Sequence, residues 1–234
     1  MKKKDLEIAL QEAVNLPYFK FTKIGDSMGF KKKQSWGSVY LSINASYFSP
    51  VSIKLRPGIT ALFTVDRIES FIDFYFKPYG YESNRLTFTV YINGMFDENF
   101  FDIRNENELQ YAVNRVNNFI INSVLPGIEK FDSVAQIYTY AEAFSMSDLT
   151  NFYGSINIKR LVVRAMVKDP FIDECIERTK NLLIHNASEY NDTLGAKFLA
   201  NYDAFVIGLK ELWDTTTEDI EGLVYKRGDY GDAV

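Results

Sequence analysis

The spacing of apolar residues changes character along the chain. Leu6, Ala9, Leu10, Ala13 and Val14 recur every three to four residues, which predicts an amphipathic helix over residues 4–15. That helix must stop before Pro17, whose ring and missing N–H cannot extend it. From residue 30 to residue 92 the dominant period falls to two. Val39, Leu41 and Ile43 alternate with Tyr40, Ser42 and Asn44, and Val51, Ile53 and Leu55 repeat the pattern. Ile59, Ala61, Phe63 and Val65 carry it on, as do Leu86, Phe88, Val90 and Ile92. Residues two apart share one face of a strand, so these runs predict half-buried strands paired antiparallel, with turns at Ser49–Pro50, Pro57–Gly58 and Asn93–Gly94. Ile68, Phe71, Ile72 and Tyr75 interrupt the series with one helical face. Asp66 is placed to cap that helix, and Pro78 and Gly80 to end it.

After Asn105 the rhythm is helical throughout. Asn105 with Glu108 three residues on resembles a capping box, and Leu109, Ala112, Val113, Val116, Phe119, Ile120 and Val124 hold one apolar face until Pro126–Gly127. Asp132 is expected to cap the next helix, with Val134, Ile137, Tyr138 and Ala141 inward. Ile158, Leu161, Val162, Ala165 and Met166 define another. At Asp169–Pro170 the pattern stops and restarts, with Pro170 suited to a first helical position ahead of Phe171, Cys175, Ile176, Leu182 and Leu183. A last long helix is predicted over 194–213, followed by a polar, mobile tail over 214–234.

The pattern therefore predicts an α+β protein: a mainly antiparallel sheet with one or two packed helices over residues 1–130, and an all-helical domain or subdomain over 131–213. Composition agrees with an ordered chain, since 47% of residues are hydrophobic and 24% charged. No apolar run approaches the roughly 20 residues that span a bilayer, and the N-terminal stretch lacks the apolar core of a signal peptide. A single cysteine, Cys175, excludes an intrachain disulfide and a Cys-rich zinc site and suits a reducing compartment, so a cytoplasmic location is expected, without a membrane partner.

Charge is unevenly placed. Residues 1–60 hold 10 Lys/Arg against 4 Asp/Glu, residues 61–168 hold 10 against 13, and residues 169–234 hold 6 against 14. Such polarity can steer an oppositely charged partner, here a basic protein meeting the acidic C-terminal part. Chemistry is harder to find. His185 is the sole histidine, which excludes a His-rich metal site and any mechanism using two imidazoles. It shares a predicted helix with Cys175, ten residues away or roughly 15 Å along the axis, too far for a dyad. His185 with Glu189 gives only two ligands, which do not define a metal site. No phosphate-loop or dinucleotide fingerprint occurs. Neither a cofactor nor a metal is expected.

Three groups stay in view as candidate sites. Asp97, Glu98 and Asp102 lie close together after Gly94, as a pair of carboxylates in an acid–base mechanism would, although turns also collect acids for solubility. Lys31, Lys32 and Lys33, near Lys20 and Lys23 and beside Trp36, Tyr40 and Tyr47, approach a basic and aromatic nucleic-acid patch. Lysines also guard edge strands, and a chain of pI about 5.1 is a poor binder of nucleic acid. Asp169, Asp173 and Glu177 form an i, i+4, i+8 stripe that reads as a solvated helix face with acids near its N-terminus. Lys31, Lys32, Lys33, Trp36, Asp169, Asp173 and Glu177 are the candidate interaction residues.

The run Gly29–Phe30–Lys31–Lys32–Lys33 before an aromatic-rich strand, and the 119–130 stretch in which a helix ends in Val124–Leu125–Pro126, resemble uncharacterised bacterial domains of unknown function. Some of these are encoded near polymorphic toxins and regarded as immunity proteins. The resemblance covers the first 130 residues and implies binding as the function, with no catalytic residues to carry over. A non-catalytic interaction protein, immunity-like, is the favoured expectation. The alternatives are a carboxylate-dependent enzyme acting on a small or sugar-like ligand, and a structural subunit of an oligomer.

Overall fold

The computed structural model describes residues 2–24, 27–48, 52–81, 85–143, 158–190, 192–218 and 220–226. The strands are β1 (Lys20–Ile24), β2 (Ser27–Gln34), β3 (Gly37–Phe48), β4 (Ser52–Val65), β5 (Phe88–Asn93) and β6 (Phe101–Ile103). The helices are α1 (Lys3–Ala13), α2 (Asp66–Phe76), α3 (Glu106–Phe119), α4 (Leu125–Glu129), α5 (Val134–Ala141), α6 (Ile158–Met166), α7 (Ile172–Glu189), α8 (Thr193–Leu199) and α9 (Tyr202–Thr215). The protein is α+β. Its chain divides into two compact units: Met1–Phe63 with Thr89–Lys130, and Thr64–Phe88 with Phe131–Val234. Where the pattern suggests one uninterrupted domain over 1–130, the second unit also takes in α2 and its flanks.

The sheet runs in the order β1-β2-β3-β4-β5, with β6 also on β4. β1 and β2 pair antiparallel, as do β2 and β3, in a register that sets Phe30 beside both Phe21 and Leu41. β2 thus has a strand on each side as far as Lys31, the last of its residues in register with β1, while Lys32 and Lys33 pair with β3 alone. The expected turn at Pro57–Gly58 does not occur. β4 runs straight through it, and Ile53, Leu55, Ile59, Ala61, Phe63 and Val65 keep one buried parity from end to end. Ile53–Leu55 pair with β6, so Pro57, which has no N–H to offer a ladder, falls beyond that pairing. Its carbonyl instead accepts from Gly94 N at 3.1 Å and Met95 N at 2.7 Å. Gly58 follows because the chain opposite comes too near for a side chain: a Cβ there would lie 2.5 Å from the Ile92 carbonyl oxygen. The expected turn at Ser49–Pro50 lies outside the described residues.

In the first unit α1 packs against α3, burying Leu6 and Leu10 of one and Leu109, Ala112, Val113 and Val116 of the other. Asn105 caps α3 by accepting from Glu108 N at 3.0 Å, while the Glu108 carboxylate accepts from Arg104 N at 2.6 Å. Pro126–Gly127 does not end this helix. Pro126 lacks the N–H for an ordinary α-helical bond, and a π-helical turn over Ile120–Val124 leads into α4, with Leu125 N bonding Ile120 O.

In the second unit α6 is the centre, packed by α2, α5, α7 and α9. Phe76, Phe198 and Phe205 build an aromatic core beside it, with ring centroids 4.6 Å and 4.9 Å apart. Three helix starts differ from expectation. Asp66 is the first residue of α2 rather than its cap and pairs with Arg85 at 3.2 Å. Ser133, not Asp132, caps α5 by accepting from Gln136 N. α7 begins at Ile172, two residues past Pro170. The predicted single last helix is broken into α8 and α9 at Ala200–Asn201, where the Asn201 side chain turns aside to donate to Tyr75 O at 2.7 Å.

Candidate functional site

All nine residues of α6 are buried, including Lys159, Arg160 and Arg164. Ile158, Leu161, Val162, Ala165 and Met166 form one strongly apolar face that Val163 widens, and packing by four other helices takes the rest of the cylinder, cations included, out of water. The cations must then find partners, because an unpaired buried charge costs several kcal/mol. Arg160 donates its Nε to Glu142 Oε1 at 2.8 Å and its Nη2 to Oε2 of the same carboxylate. Arg164 donates to Glu142 Oε2 and to Asp169 Oδ2. Glu142 closes α5, and Asp169 follows the left-handed Lys168 (φ 54°) that ends α6. The i, i+4 spacing of the two arginines thus lets one turn of α6 tie the end of α5 to the turn before α7.

The chain past α9 completes this network. Tyr138 OH donates to Asp169 Oδ2 at 3.0 Å and accepts from Lys226 N at 3.0 Å, while Arg164 reaches Lys226 O at 3.2 Å. Tyr225 OH donates to Val167 O at 2.7 Å and Thr216 Oγ1 to Met166 O at 3.0 Å. Thr216, Tyr225 and Lys226 are therefore anchored, within the stretch that the sequence predicts as a mobile tail. Residues 227–234 lie outside the described residues. A second buried pair stands nearby in the same unit: Lys159 lies 3.0 Å from Glu69 and also donates to Leu86 O, and Thr87 Oγ1 donates to Glu69 at 2.7 Å.

Burial sets the protonation of these groups. It raises the Asp169 carboxyl from its ordinary range, against the pull of Arg164, the Phe171 N–H and the Tyr138 hydroxyl. Burial lowers the Lys159 ammonium, opposed by Glu69 beside it, and holds the Tyr138 phenol well above its ordinary value. Three acids and three cations balance, so the network is neutral and its carboxylates are occupied. What it does chemically is to hold four stretches of chain in register.

The sequence candidates fall elsewhere. Asp97 and Glu98 are exposed, and Asp102 accepts from Arg104 at 2.8 Å with Lys54 3.9 Å away. Lys31 and Lys32 are half-buried and Lys33 exposed. Lys32 lies 5.7 Å over the Phe19 ring and Trp36 stacks on Phe63 at 6.4 Å. Tyr40, set beside these lysines as a surface aromatic, points inward at 3% exposure. The Asp169–Asp173–Glu177 stripe divides. Asp169 is fully buried, whereas Asp173 and Glu177 stand exposed on α7. Cys175 is buried and His185 exposed on that helix, with Tyr190 5.8 Å from the imidazole.

With the six buried charges set aside, the second unit holds 18 Asp/Glu against 10 Lys/Arg, whereas the first unit as a whole holds 10 against 13. On α7 and α9 the excess includes Asp173, whose side chain is 79% exposed, and Asp203, at 86%. Their links to Lys210 and Lys180 are exposed pairs of little strength. Among the described residues no group of three or more His, Cys, Asp or Glu is arranged to hold a metal ion, and no helix is long and apolar enough to cross a membrane. Comparison with protein-family models, curated proteins and solved structures finds no match to this chain.

Proposed function

We propose that this chain is a bacterial binding protein, immunity-like in character, whose acidic helical unit meets a basic protein partner. One observation carries the reading: the helical unit neutralises its buried charges among themselves and leaves 18 Asp/Glu against 10 Lys/Arg for the remainder, with Asp173, Glu177 and Asp203 held out on α7 and α9. Charge arranged in this way raises encounter rates with an oppositely charged surface and rejects partners of its own sign. Nucleic acid, which shares that sign, is no part of the reading. The reading sets the protein in the cytoplasm, supported by a lone cysteine buried in α7.

The test is recovery of a bound protein from native extract at about 0.1 M salt, where the screening length is about 10 Å, and at about 1 M, where it is about 3 Å. A basic protein is expected to co-purify at the lower salt and to be lost at the higher one, and to be lost also from the triple variant Asp173→Lys, Glu177→Lys, Asp203→Lys. Retention that ignores both salt and charge reversal, or no retained protein at all, overturns the proposal.

A further inference from the structure

The first unit carries a groove of about 780 Å³ between α1 and α3. Its lining is mixed: Ile8, Ala9 and Ala13 of α1 and Leu109 of α3 supply an apolar strip, and Asp5, Glu12, Glu106 and Gln110 supply polar groups around it. The sequence pattern assigns Ala9 and Ala13 to the buried face of α1, yet their side chains are too short to close it. Leu6, Leu10 and Val14 reach the core, whereas Ala13 stays exposed and Ile8 is left 44% exposed. The rim is charged with one sign. Asp5 and Glu12 stand on the α1 bank and Glu106 on the α3 bank, and every charged residue lining the groove is an acid. This is a local reversal, because the unit as a whole holds 13 Lys/Arg against 10 Asp/Glu.

We infer that this groove receives a cationic amphipathic helix of the partner protein, an inference that rests on the proposed reading of the chain as a binder of basic protein. A helix laid between two helices offers one apolar stripe to the floor and flanking side chains to both banks. Carboxylates on each bank select Lys or Arg at those flanks. α1 has 11 residues and is about 16 Å long, so the groove takes about three turns.

The probe is a fluorescent Lys/Leu peptide of about 18 residues, long enough to form a helix, compared with a Glu/Leu peptide bearing the same apolar stripe. Anisotropy titrations use the full chain. The Lys/Leu peptide is expected to bind and the Glu/Leu peptide not. Ala9→Trp, which fills the groove from a half-buried position, is expected to raise Kd about tenfold or more, and so is the pair Glu12→Lys, Glu106→Lys, equivalent to about 1.4 kcal/mol or more. Thermal unfolding shows whether each variant stays folded, and the two act by different means, so the loss of one leaves the other. Asp173→Lys with Glu177→Lys on the helical unit is expected to leave peptide binding within about twofold, less than about 0.4 kcal/mol. Equal binding of both peptides, indifference to Ala9→Trp and to the rim reversal, or a dimer in sedimentation that Ala9→Trp dissolves, each overturns the groove. Binding lost only on reversal at Asp173 and Glu177 also overturns it, while leaving the acidic helical surface intact as the docking site.

Discussion

Glu142 receives hydrogen bonds from two buried guanidinium groups, which makes Glu142→Gln the sharpest test of the interior. The amide keeps the size of the carboxylate and removes its charge. Arg160 then loses both of its bonds to the carboxylate while Arg164 keeps Asp169, and the new NH2 group presents hydrogens to groups that already donate. Breaking one partner out of a buried ion network costs about 3–5 kcal/mol. For an m-value of about 2 kcal/mol/M, the urea midpoint of the helical unit should fall by about 1.5–2.5 M, followed by far-UV circular dichroism. The double replacement Glu142→Met, Arg160→Met removes a neutral pair and leaves Arg164 with Asp169 and the Lys226 carbonyl. It should recover most of the loss, because a well-packed apolar pair is spared the desolvation that buried ions suffer. A Glu142→Gln cost below about 1 kcal/mol, or a double replacement as damaging as the single one, would refute a buried, mutually neutralised network.

Three further outcomes follow from the geometry. Ending the chain after Thr215 removes the four bonds of Thr216, Tyr225 and Lys226 described above and should lower stability by about 4 kcal/mol at about 1 kcal/mol per bond; a truncated chain that melts with the full one would contradict the anchored tail. Burial pushes the Tyr40 phenol up to about 12. The unfolded chain gives up that proton near pH 10, so its contribution is full below about pH 10 and is lost between about pH 10 and 12 at about 1.4 kcal/mol per pH unit. Tyr40→Phe should flatten that part of the stability profile, and parallel profiles would show that the phenol is not buried. Gly58→Ala forces a methyl group against the Ile92 carbonyl and should cost about 1–3 kcal/mol in chemical denaturation, whereas unchanged stability would remove the close approach between β4 and β5.

Much of the architecture is legible in the chain because a single period governs each element. The alternation from Ile59 to Val65 and the helical spacing from Ile68 to Tyr75 place β4 and α2 without any partner in view. Errors arise where a local signal meets a tertiary one. Pro57–Gly58 carries the composition of a turn, yet Pro57 is tolerated in a long strand beyond its pairing with β6, where its carbonyl receives the loop at Gly94 and Met95. Asn201 breaks a continuous helical pattern because its side chain has a partner at Tyr75, more than a hundred residues away in sequence. The buried network is the largest omission. Arg160 and Arg164 read as the solvent side of an amphipathic helix, and their partners Glu142 and Asp169 lie beyond the ends of that helix. Val163 and Val167 lie off the predicted apolar face and are the signal in the chain that α6 buries more than one side. Asp169 escapes the pattern for a related reason: its spacing to Asp173 and Glu177 imitates one helix face, although it precedes the helix and folds back on Arg164.

The claim that the acidic helical unit recognises a basic partner is tested most directly by association rates against ionic strength, using the protein recovered from native extract. The account predicts that the rate falls about tenfold or more between low and high salt, and that Asp173→Lys with Glu177→Lys reproduces the high-salt rate at low salt. A rate that stays the same at both salts, in the native chain and in the variant, would contradict it.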